Sequence, residues 1–490
     1  MYLVVLIASL MIFCAVVFAY ATSPYVSVFH PFTLYSLFHG VVFVIRPILA
    51  YQLDYEMIYK AYHFTPSLSD KITVIIAANL GYMSFAFFCF LRGSIGMIFT
   101  NEKTSKYERS IYNKYYIIVM VICAPVAIWS LAINWAASSD FSVAEGMITD
   151  VSTGALINTK GNGYLAEAQL MLPTLLAIFA WINRFRILTI VPFAIYIIAR
   201  AGTGGRGPFV IAIAAITLLY LYDKKIKFPN FTAIISAIII VTAFNAVGSD
   251  RGASVRAQFG EQTDIRAFRD YRLKFMEGMD FGNMEFFEYI VYVVPQRSHT
   301  YDYFLNNLQL ITEPIPRVLW PSKPIGAPYQ PVHLFQFGYP VGMTTSLPGL
   351  GWYSLGWLGV IIWCGLWGYI LGIIYERFVR SQRGTFSIAA YCILMATMIV
   401  AFRDGSFVTI FRQGIFLFAP LGVWAIVLSL AGVRGIRGAV GPSVSRLKGQ
   451  WGKVDLTLVG NLTTATSLPK AVLRRRRALA LERDSGSAKD

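Results

Sequence analysis

The chain has 490 residues, of which 56% are hydrophobic and only 14% are charged. Its mean hydropathy is +0.57. A water-soluble domain of this length could hardly stay in solution with that composition, so the sequence indicates a polytopic membrane protein. The formal net charge of +16 is interpreted as a signal of membrane topology, and no nucleic-acid partner is expected.

Eleven apolar runs are predicted to be membrane-spanning helices. They cover residues 2–20, 32–51, 72–91, 115–134, 167–183, 186–200, 208–222, 230–247, 354–375, 385–402 and 413–431. We therefore expect eight N-terminal helices in residues 1–247 and three C-terminal helices in residues 351–431. Between them lies a polar loop, 248–350, and a basic, partly disordered tail follows in residues 432–490.

The tail sets the predicted orientation. It carries twelve Lys and Arg residues against four acidic residues, a net charge of +8 and half of the total. The positive-inside rule places it in the cytoplasm, so the loop 248–350 and the N-terminus fall on the outer side.

The loop 248–350 is the polar centre of an otherwise apolar chain. It contains nine Lys and Arg residues among many acids and aromatics, and it must emerge on one face of the membrane. Any chemistry is expected where this loop closes over the helix ends.

A glycine-rich turn with two arginines lies at residues 199–208. Glycines let a backbone approach a ligand, Pro208 suits a first helical turn, and a helix N-terminus favours an anion. With Arg200 and Arg206 beside it, the turn could bind phosphate. The alternative is a tight interhelical turn whose arginines reach the lipid headgroups.

The loop itself carries a second cationic region. Pro314, Pro316, Pro321 and Pro324 exclude a regular helix and hold Arg317 and Lys323 on a stiff, extended backbone. Upstream, Arg297 and His299 lie in a short polar stretch, His299 as a candidate base or as a plain interfacial histidine. An irregular lid whose cations only meet headgroups is the alternative.

The last outer turn holds Arg403, Asp404 and, further on, Arg412. Ionisable groups at the end of a span are costly unless paired, so these three could form a structural cluster. Asp404 could instead orient a catalytic arginine or accept a proton. Tyr164, after a Gly-Asn-Gly turn, could stack on a sugar or lie at the membrane interface.

No cofactor or metal is expected. The five cysteines all lie in apolar runs, and the outer loops contain no His, Asp and Glu cluster with ligand spacing. Asp54 and Glu56 resemble a paired-carboxylate metal site, but two acids two residues apart are common in short loops.

Several of these segments together resemble the bacterial O-antigen and oligosaccharide repeat-unit polymerases, the Wzy family. The likeness covers most of the chain from Gly161 to Leu430, and it is carried by the order of four segments and by the single large outer loop. The segments are Gly204-Gly205-Arg206-Gly207 before an aliphatic span, Ile315-Pro316-Arg317-Val318-Leu319-Trp320-Pro321-Ser322-Lys323-Pro324, the stretch from Pro348 to Gly359, and Arg403-Asp404-Gly405.

The resemblance implies a glycosyltransferase in the bacterial inner membrane. Such an enzyme transfers a growing glycan from undecaprenyl diphosphate to a lipid-linked repeat unit on the periplasmic face. The expected fold is an all-α polytopic membrane protein with about 11 transmembrane helices (10–12), one large periplasmic loop and a GT-C-like architecture. The expected partners are undecaprenyl-diphosphate-linked oligosaccharides and membrane lipids, with a chain-length regulator and a flippase as further candidates.

A diphosphate leaving group calls for positive charge and a base. We assign the charge to Arg206 and Arg317, supported by Arg200, Arg297, Lys323, Arg403 and Arg412, and the base to His299, Asp404 or a loop carboxylate. A ligase that moves finished glycan to another acceptor would look almost the same. A transporter or flippase is less favoured, because interior charges are few, chiefly Arg46. A structural assembly partner would not need the stiff cationic segment.

Overall fold

A computed structural model describes residues 1–97, 99, 106–139, 147–149, 156–158, 165, 167–202, 206–230, 274–278, 281–315, 319–320, 322–324, 326–338, 344–381 and 384–432. Their side chains are described except at 61, 106–109, 134–139, 147–149, 156–158, 199–202, 206 and 335. The predicted span 230–247, apart from its first residue, and the tail from residue 433 lie outside the described part.

The described chain is almost entirely helical. Its helices are α1 (Tyr2–Ala21), α2 (Pro31–Leu53, with a π-helical part at Gly40–Ile45), α3 (Met57–Tyr62), α4 (Leu68–Gly93), α5 (Lys106–Ser139), α6 (Met171–Ile182), α7 (Ile187–Gly202), α8 (Arg206–Asp223), α9 (Asn283–Val293), α10 (Gln309–Thr312), α11 (Leu347–Arg380), α12 (Thr385–Asp404) and α13 (Phe407–Leu430). Short 3₁₀ turns lie at Ala168–Leu170, Leu305–Leu308 and Leu334–Gln336. A small antiparallel hairpin pairs β1 (Met147–Thr149) with β2 (Leu156–Asn158).

Seven of these helices are long and apolar enough to cross a membrane, namely α1, α2, α4, α5, α11, α12 and α13. Three shorter apolar helices, α6, α7 and α8, lie where three further spans were predicted. Each of the ten overlaps its predicted segment. The chain is thus an all-α, multi-pass membrane protein, while the total of eleven spans and the GT-C-like architecture remain predictions.

The helices form a bundle with two distinguishable ends. At the loop end, the Ser346 N–H donates to the Arg403 carbonyl at 2.9 Å. At the opposite end, the Tyr391 hydroxyl donates to the Phe29 carbonyl at 2.6 Å, and the Phe29 ring lies 5.8 Å from the ring of Tyr222. Because Tyr222 and Tyr391 mark the same end, α8 and α12 run in opposite directions, and α8 starts at the loop end.

Part of the long polar segment is buried rather than exposed. Helix α9 packs against α4 and α11, and its Asn283, Glu285 and Glu288 side chains are each 1% exposed. Eleven residues are too few to cross a bilayer. The segment between the predicted spans therefore contributes a short helix to the interior of the bundle.

Helices α4 and α11 meet across a face made of glycines. An added Cβ would lie 2.7 Å from the Phe88 ring at Gly365, 2.4 Å from the Phe85 carbonyl oxygen at Gly368 and 2.6 Å from the Cys89 carbonyl oxygen at Gly372. Small residues three and four positions apart lie on one face of a helix, and the four-residue spacing of Gly368 and Gly372 lets two helix backbones approach closely. This contact fixes α11, whose first turns adjoin the candidate site.

We expect Gly368→Ala to destabilise the protein by about 1–3 kcal/mol, because the new methyl group would overlap backbone rather than a movable side chain. Gly422→Ala on α13 is the matched control, since its Cβ would meet nothing within 4 Å. The midpoint of thermal unfolding in detergent measures the difference. A Gly368→Ala midpoint equal to that of wild type would show that the α4–α11 contact is looser than described.

Candidate functional site

Helices α12 and α13 are joined by a tight turn at Gly405. Its φ is +76°, and a Cβ would meet the Ser346 carbonyl oxygen at 2.3 Å, so glycine is required on both counts. Ser406 caps α13 by accepting a hydrogen bond from the Val408 N–H at 3.2 Å. The Trp363 indole N–H donates to the Gly405 carbonyl at 3.0 Å. The turn is thus held from both sides.

The last carbonyls of α12 are bound by residues from the loop. The Asn283 side-chain amide donates to the Arg403 carbonyl at 2.8 Å, and the Ser346 N–H donates to the same oxygen at 2.9 Å. The Thr345 hydroxyl donates to the Asp404 carbonyl. Carbonyls at a helix C-terminus lack intrahelical partners, so these contacts join the loop to α12 directly beside two charged side chains.

Charged side chains from four elements meet around this turn. Arg412 on α13 lies 3.6 Å from Glu167, which precedes α6, and 3.9 Å from Glu313, which follows α10. Lys323 lies 3.9 Å from Glu313. These pairs are longer than direct charge-assisted hydrogen bonds. We call the following residues the charged cluster: Glu167, Glu313, Lys323, Arg403, Asp404 and Arg412.

Within the charged cluster, Arg403 has an unused donor. Its Nε is buried and has no hydrogen-bond partner among the described residues. The Asp404 carboxylate accepts a hydrogen bond from Thr409 and lies in the fields of Arg403 and Arg412. Leaving a buried charged donor unpaired is costly, so this geometry favours an additional anion or polar ligand at the guanidinium.

The two arginines of the glycine-rich turn lie on described helices, but their side chains are outside the described part. Arg206 begins α8, which packs against α6 and α12. Since α8 starts at the loop end, the Arg206 backbone is at the same end of the bundle as Arg403. Arg200 is near the end of α7. This position agrees with the predicted approach of Arg206 to the loop. The contacts of the Arg206 side chain stay a prediction.

Other predicted site residues differ in placement. Arg317 and Tyr164 lie outside the described residues. Lys323 belongs to the charged cluster, and its ammonium also donates to the carbonyls of Glu313 and Ile315, each at 3.1 Å. Lys323 thereby holds the turn that leads into Arg317.

Arg297 and His299 do not contact the charged cluster. The Arg297 guanidinium lies 3.3 Å from the centre of the Tyr292 ring and donates to the Tyr292 carbonyl. His299 is exposed, has a φ of +53°, and its ring makes no hydrogen bond within the described chain. A base role for His299 would thus require substrate to bring the two regions together.

A second polar centre was not identified from the sequence. Arg46 on α2 and Glu285 on α9 have side chains 0% and 1% exposed, and the Arg46 Nε lies 2.9 and 2.8 Å from the two carboxylate oxygens. Arg46 also donates to the carbonyls of Met276, Glu277 and Gly278. The signal in the sequence was an arginine inside an apolar run, which in membranes usually has a buried acidic partner.

Glu277 fastens the same turn to the start of α3. One carboxylate oxygen accepts from the N–H groups of Glu56 and Met57 at 2.9 and 3.0 Å, and the other accepts from the Lys274 N–H at 3.0 Å. Together with Arg46, it ties residues 274–278 to the bundle. Helix α9, which follows, is thereby placed so that Asn283 reaches α12.

Glu288 is a buried carboxyl group one helical turn from Glu285. It accepts a hydrogen bond from the Tyr59 hydroxyl at 2.6 Å. The pKa of Glu288 is raised to about 7, chiefly by burial and also by the Glu285 charge. Lys71, the Tyr59 hydrogen bond and Arg46 lower it, but by less. A neutral Glu288 leaves the neighbouring charges more nearly balanced.

This raised pKa predicts a pH dependence of stability. Because the folded state holds the Glu288 proton more tightly than an unfolded chain, with its ordinary value of 4.5, stability is greatest below that value. It falls as pH rises towards 7. Glu288→Gln should remove this component, so the unfolding midpoint of the variant should gain on that of wild type as pH rises from 4.5 to about 7, and the difference should then level off. If the unfolding midpoints of the two proteins changed with pH in parallel, Glu288 would not have a raised pKa in the folded protein.

Asp54 and Glu56, the two acids considered as a metal site, contact different lysines. Glu56 forms an ion pair with Lys60 on the next helical turn, and the Asp54 carbonyl accepts from Lys274. Within the described residues, no three His, Cys, Asp or Glu side chains form a group that could hold a metal ion. The arrangement gives no support for a two-carboxylate site at this position.

Comparisons with family models, with curated proteins and with solved structures find no match for this chain. The strongest feature is the charged cluster at the loop end, where loop and helix termini are joined by hydrogen bonds.

Proposed function

We propose that the protein is a glycan polymerase that transfers a growing chain from undecaprenyl diphosphate to a lipid-linked repeat unit. The observation that carries this proposal is the Arg403 guanidinium, whose buried Nε lacks a partner within the described chain. It lies next to Asp404 at the end of a membrane-spanning helix. A diphosphate at this level of a bilayer is the kind of anion that such a guanidinium binds.

The proposed reaction places each charge where it is needed. The acceptor hydroxyl oxygen forms a bond to the anomeric carbon while the bond from that carbon to the diphosphate oxygen breaks. The leaving oxygen takes the electron pair, and Arg403 and Arg412 stabilise the negative charge that develops there. The acceptor proton passes to Asp404, with His299 as the other candidate.

The charged cluster has equal numbers of cations and carboxylates at long ion-pair distances, which supports a site where a bound anion can replace a carboxylate. The cluster has three cations, Arg403, Lys323 and Arg412, and three carboxylates, Asp404, Glu167 and Glu313. Its ion pairs are 3.6–3.9 Å apart. A diphosphate can compete with carboxylates held at such distances more easily than with a short, bidentate pair. Arg206 and Arg317 are proposed to complete the site.

We therefore expect Arg206→Lys and Arg317→Lys to retain expression but to leave mostly single-repeat products. Lysine keeps the charge and loses the planar fork that binds two phosphate oxygens. Chain-length profiles on gels from cells carrying each variant measure this. Arg380→Lys is the control, because Arg380 lies at the far end of α11 and is 69% exposed. Normal long glycan from both test variants would mean that neither arginine holds the leaving group.

A further inference from the structure

The segment from Leu308 to Leu319 exposes an unusual number of apolar side chains. Leu308 is 37% exposed, Ile311 72%, Ile315 37% and Leu319 77%. Leu308 and Ile311 are three residues apart at the short helix α10, and Ile315 lies in the turn that follows it. Exposed apolar groups in such a row mark a surface that meets something other than water.

The depth of this segment is set by its contact with α13. Glu313 lies 3.9 Å from Arg412, and Arg412 is five residues beyond the first residue of α13. At 1.5 Å per residue, that is about 7.5 Å along the helix from its start. Helix α10 therefore lies alongside the first turns of α13 rather than above them.

The neighbouring face of α13 is apolar and exposed. Phe411 and Ile415, which lie on one side of Arg412 around the helix, are 42% and 49% exposed. Only 33% of the apolar part of this spanning helix is buried within the protein. The exposed apolar residues from Leu308 to Leu319 thus adjoin the exposed apolar face of a helix long and apolar enough to cross a membrane.

The other side of the segment is attached to the protein. Thr312 is buried, and the Glu313 and Lys323 side chains are 18% and 10% exposed. The segment is therefore amphipathic, with its polar side turned towards the charged cluster. An apolar face opposite a polar, anchored face is typical of elements that lie in the plane of a membrane interface.

We propose that Leu308, Ile311, Ile315 and Leu319 insert into the lipid leaflet at the loop end, at the boundary between headgroups and acyl chains. This contact goes beyond the proposed transfer reaction and does not depend on it. It assigns a membrane-embedded role to residues that hydropathy alone places in an aqueous loop.

Depth-dependent quenching tests this directly. Cys14 is the exposed member of the five cysteines, so a Cys14→Ser background allows single cysteines at 311, 315 or 319 to be labelled with an environment-sensitive fluorophore. The full-length protein is reconstituted in nanodiscs whose phosphatidylcholine carries bromine either near the glycerol end or near the methyl end of the acyl chain. His333→Cys, at an exposed polar position of the same loop, is the control.

We expect bromolipids to quench labels at 311, 315 and 319 strongly, and more with bromine near the glycerol end, because interfacial elements lie about 5–10 Å into the boundary region. The control should lose little fluorescence. Labels at all three sites that respond to a water-soluble quencher and not to bromolipids would overturn the proposal. Labels shielded from both quenchers would also overturn it, because the row would then be covered by protein, such as a second copy. Ile311→Asp with unchanged elution and unfolding midpoint, but reduced quenching at 315, would support it further.

Discussion

Replacing Glu285 with leucine should cost about 3–5 kcal/mol of folding free energy, because it leaves the Arg46 guanidinium buried without a carboxylate. The pair is 0% and 1% exposed, so water cannot take over the role of Glu285. Arg46→Met should be equally severe, since it also removes the donors to the carbonyls at 276–278. The unfolding midpoint and the fraction of monodisperse protein in detergent measure both.

The double variant Arg46→Met/Glu285→Leu separates charge from packing. Neither charge is then buried alone, so we expect part of the stability to return, but not all, because three carbonyls still lack their donor. The exposed pair of Glu56 and Lys60, 52% and 56% exposed, is the matched control. The loss of this exposed ion pair in Glu56→Gln should leave the unfolding midpoint almost unchanged. Equal effects of Glu285→Leu and Glu56→Gln would contradict the described burial.

Arg403→Met should abolish most glycan transfer without loss of stability. Removing one donor to the developing negative charge typically costs about 3–4 kcal/mol of transition-state stabilisation, a rate loss of roughly 10²–10³. Stability should hold or rise, because the variant removes a buried donor that has no partner in the described chain. The transfer rate of Arg403→Lys should lie between those of wild type and Arg403→Met, because lysine keeps the charge but lacks the planar guanidinium that binds two oxygens at once.

Opposite changes in rate and stability distinguish this role from a structural one. If Arg403 only neutralised Asp404, its removal would lower the unfolding midpoint and the rate together. Arg380→Met, at the far end of α11, should change neither. A fully active Arg403→Met protein would remove Arg403 from the reaction.

Helix positions were predictable from sequence because each is marked by an apolar run, and ten of the eleven predicted segments overlap described helices, seven of them long enough to cross a membrane. The burial of α9 was not, since its eleven residues include Asn283, Glu285 and Glu288 and resemble a polar loop segment. What makes α9 an interior helix is Arg46, 239 residues away in sequence from Glu285. Local patterning cannot identify a partner at that separation.

The sequence also identified only the part of the candidate site whose residues are close together in the chain. Arg403, Asp404 and Arg412 were identified together because they follow one another around a single turn. Glu167 and Glu313 were not, because their contact with Arg412 depends on the packing of α6 and α10 against α13. The proposed meeting of Arg206 and Arg317 has the same long-range character and stays a prediction.

The most direct measurement is glycan transfer by the purified protein reconstituted in lipid with an undecaprenyl-diphosphate-linked repeat unit as the sole substrate. The expected result is a ladder of products spaced by one repeat, with one undecaprenyl diphosphate released per bond formed. Arg403→Met of equal stability should release little or none. Folded wild-type protein that leaves the substrate unchanged, or an Arg403→Met variant that releases undecaprenyl diphosphate at the wild-type rate, would contradict a diphosphate-binding site at this turn.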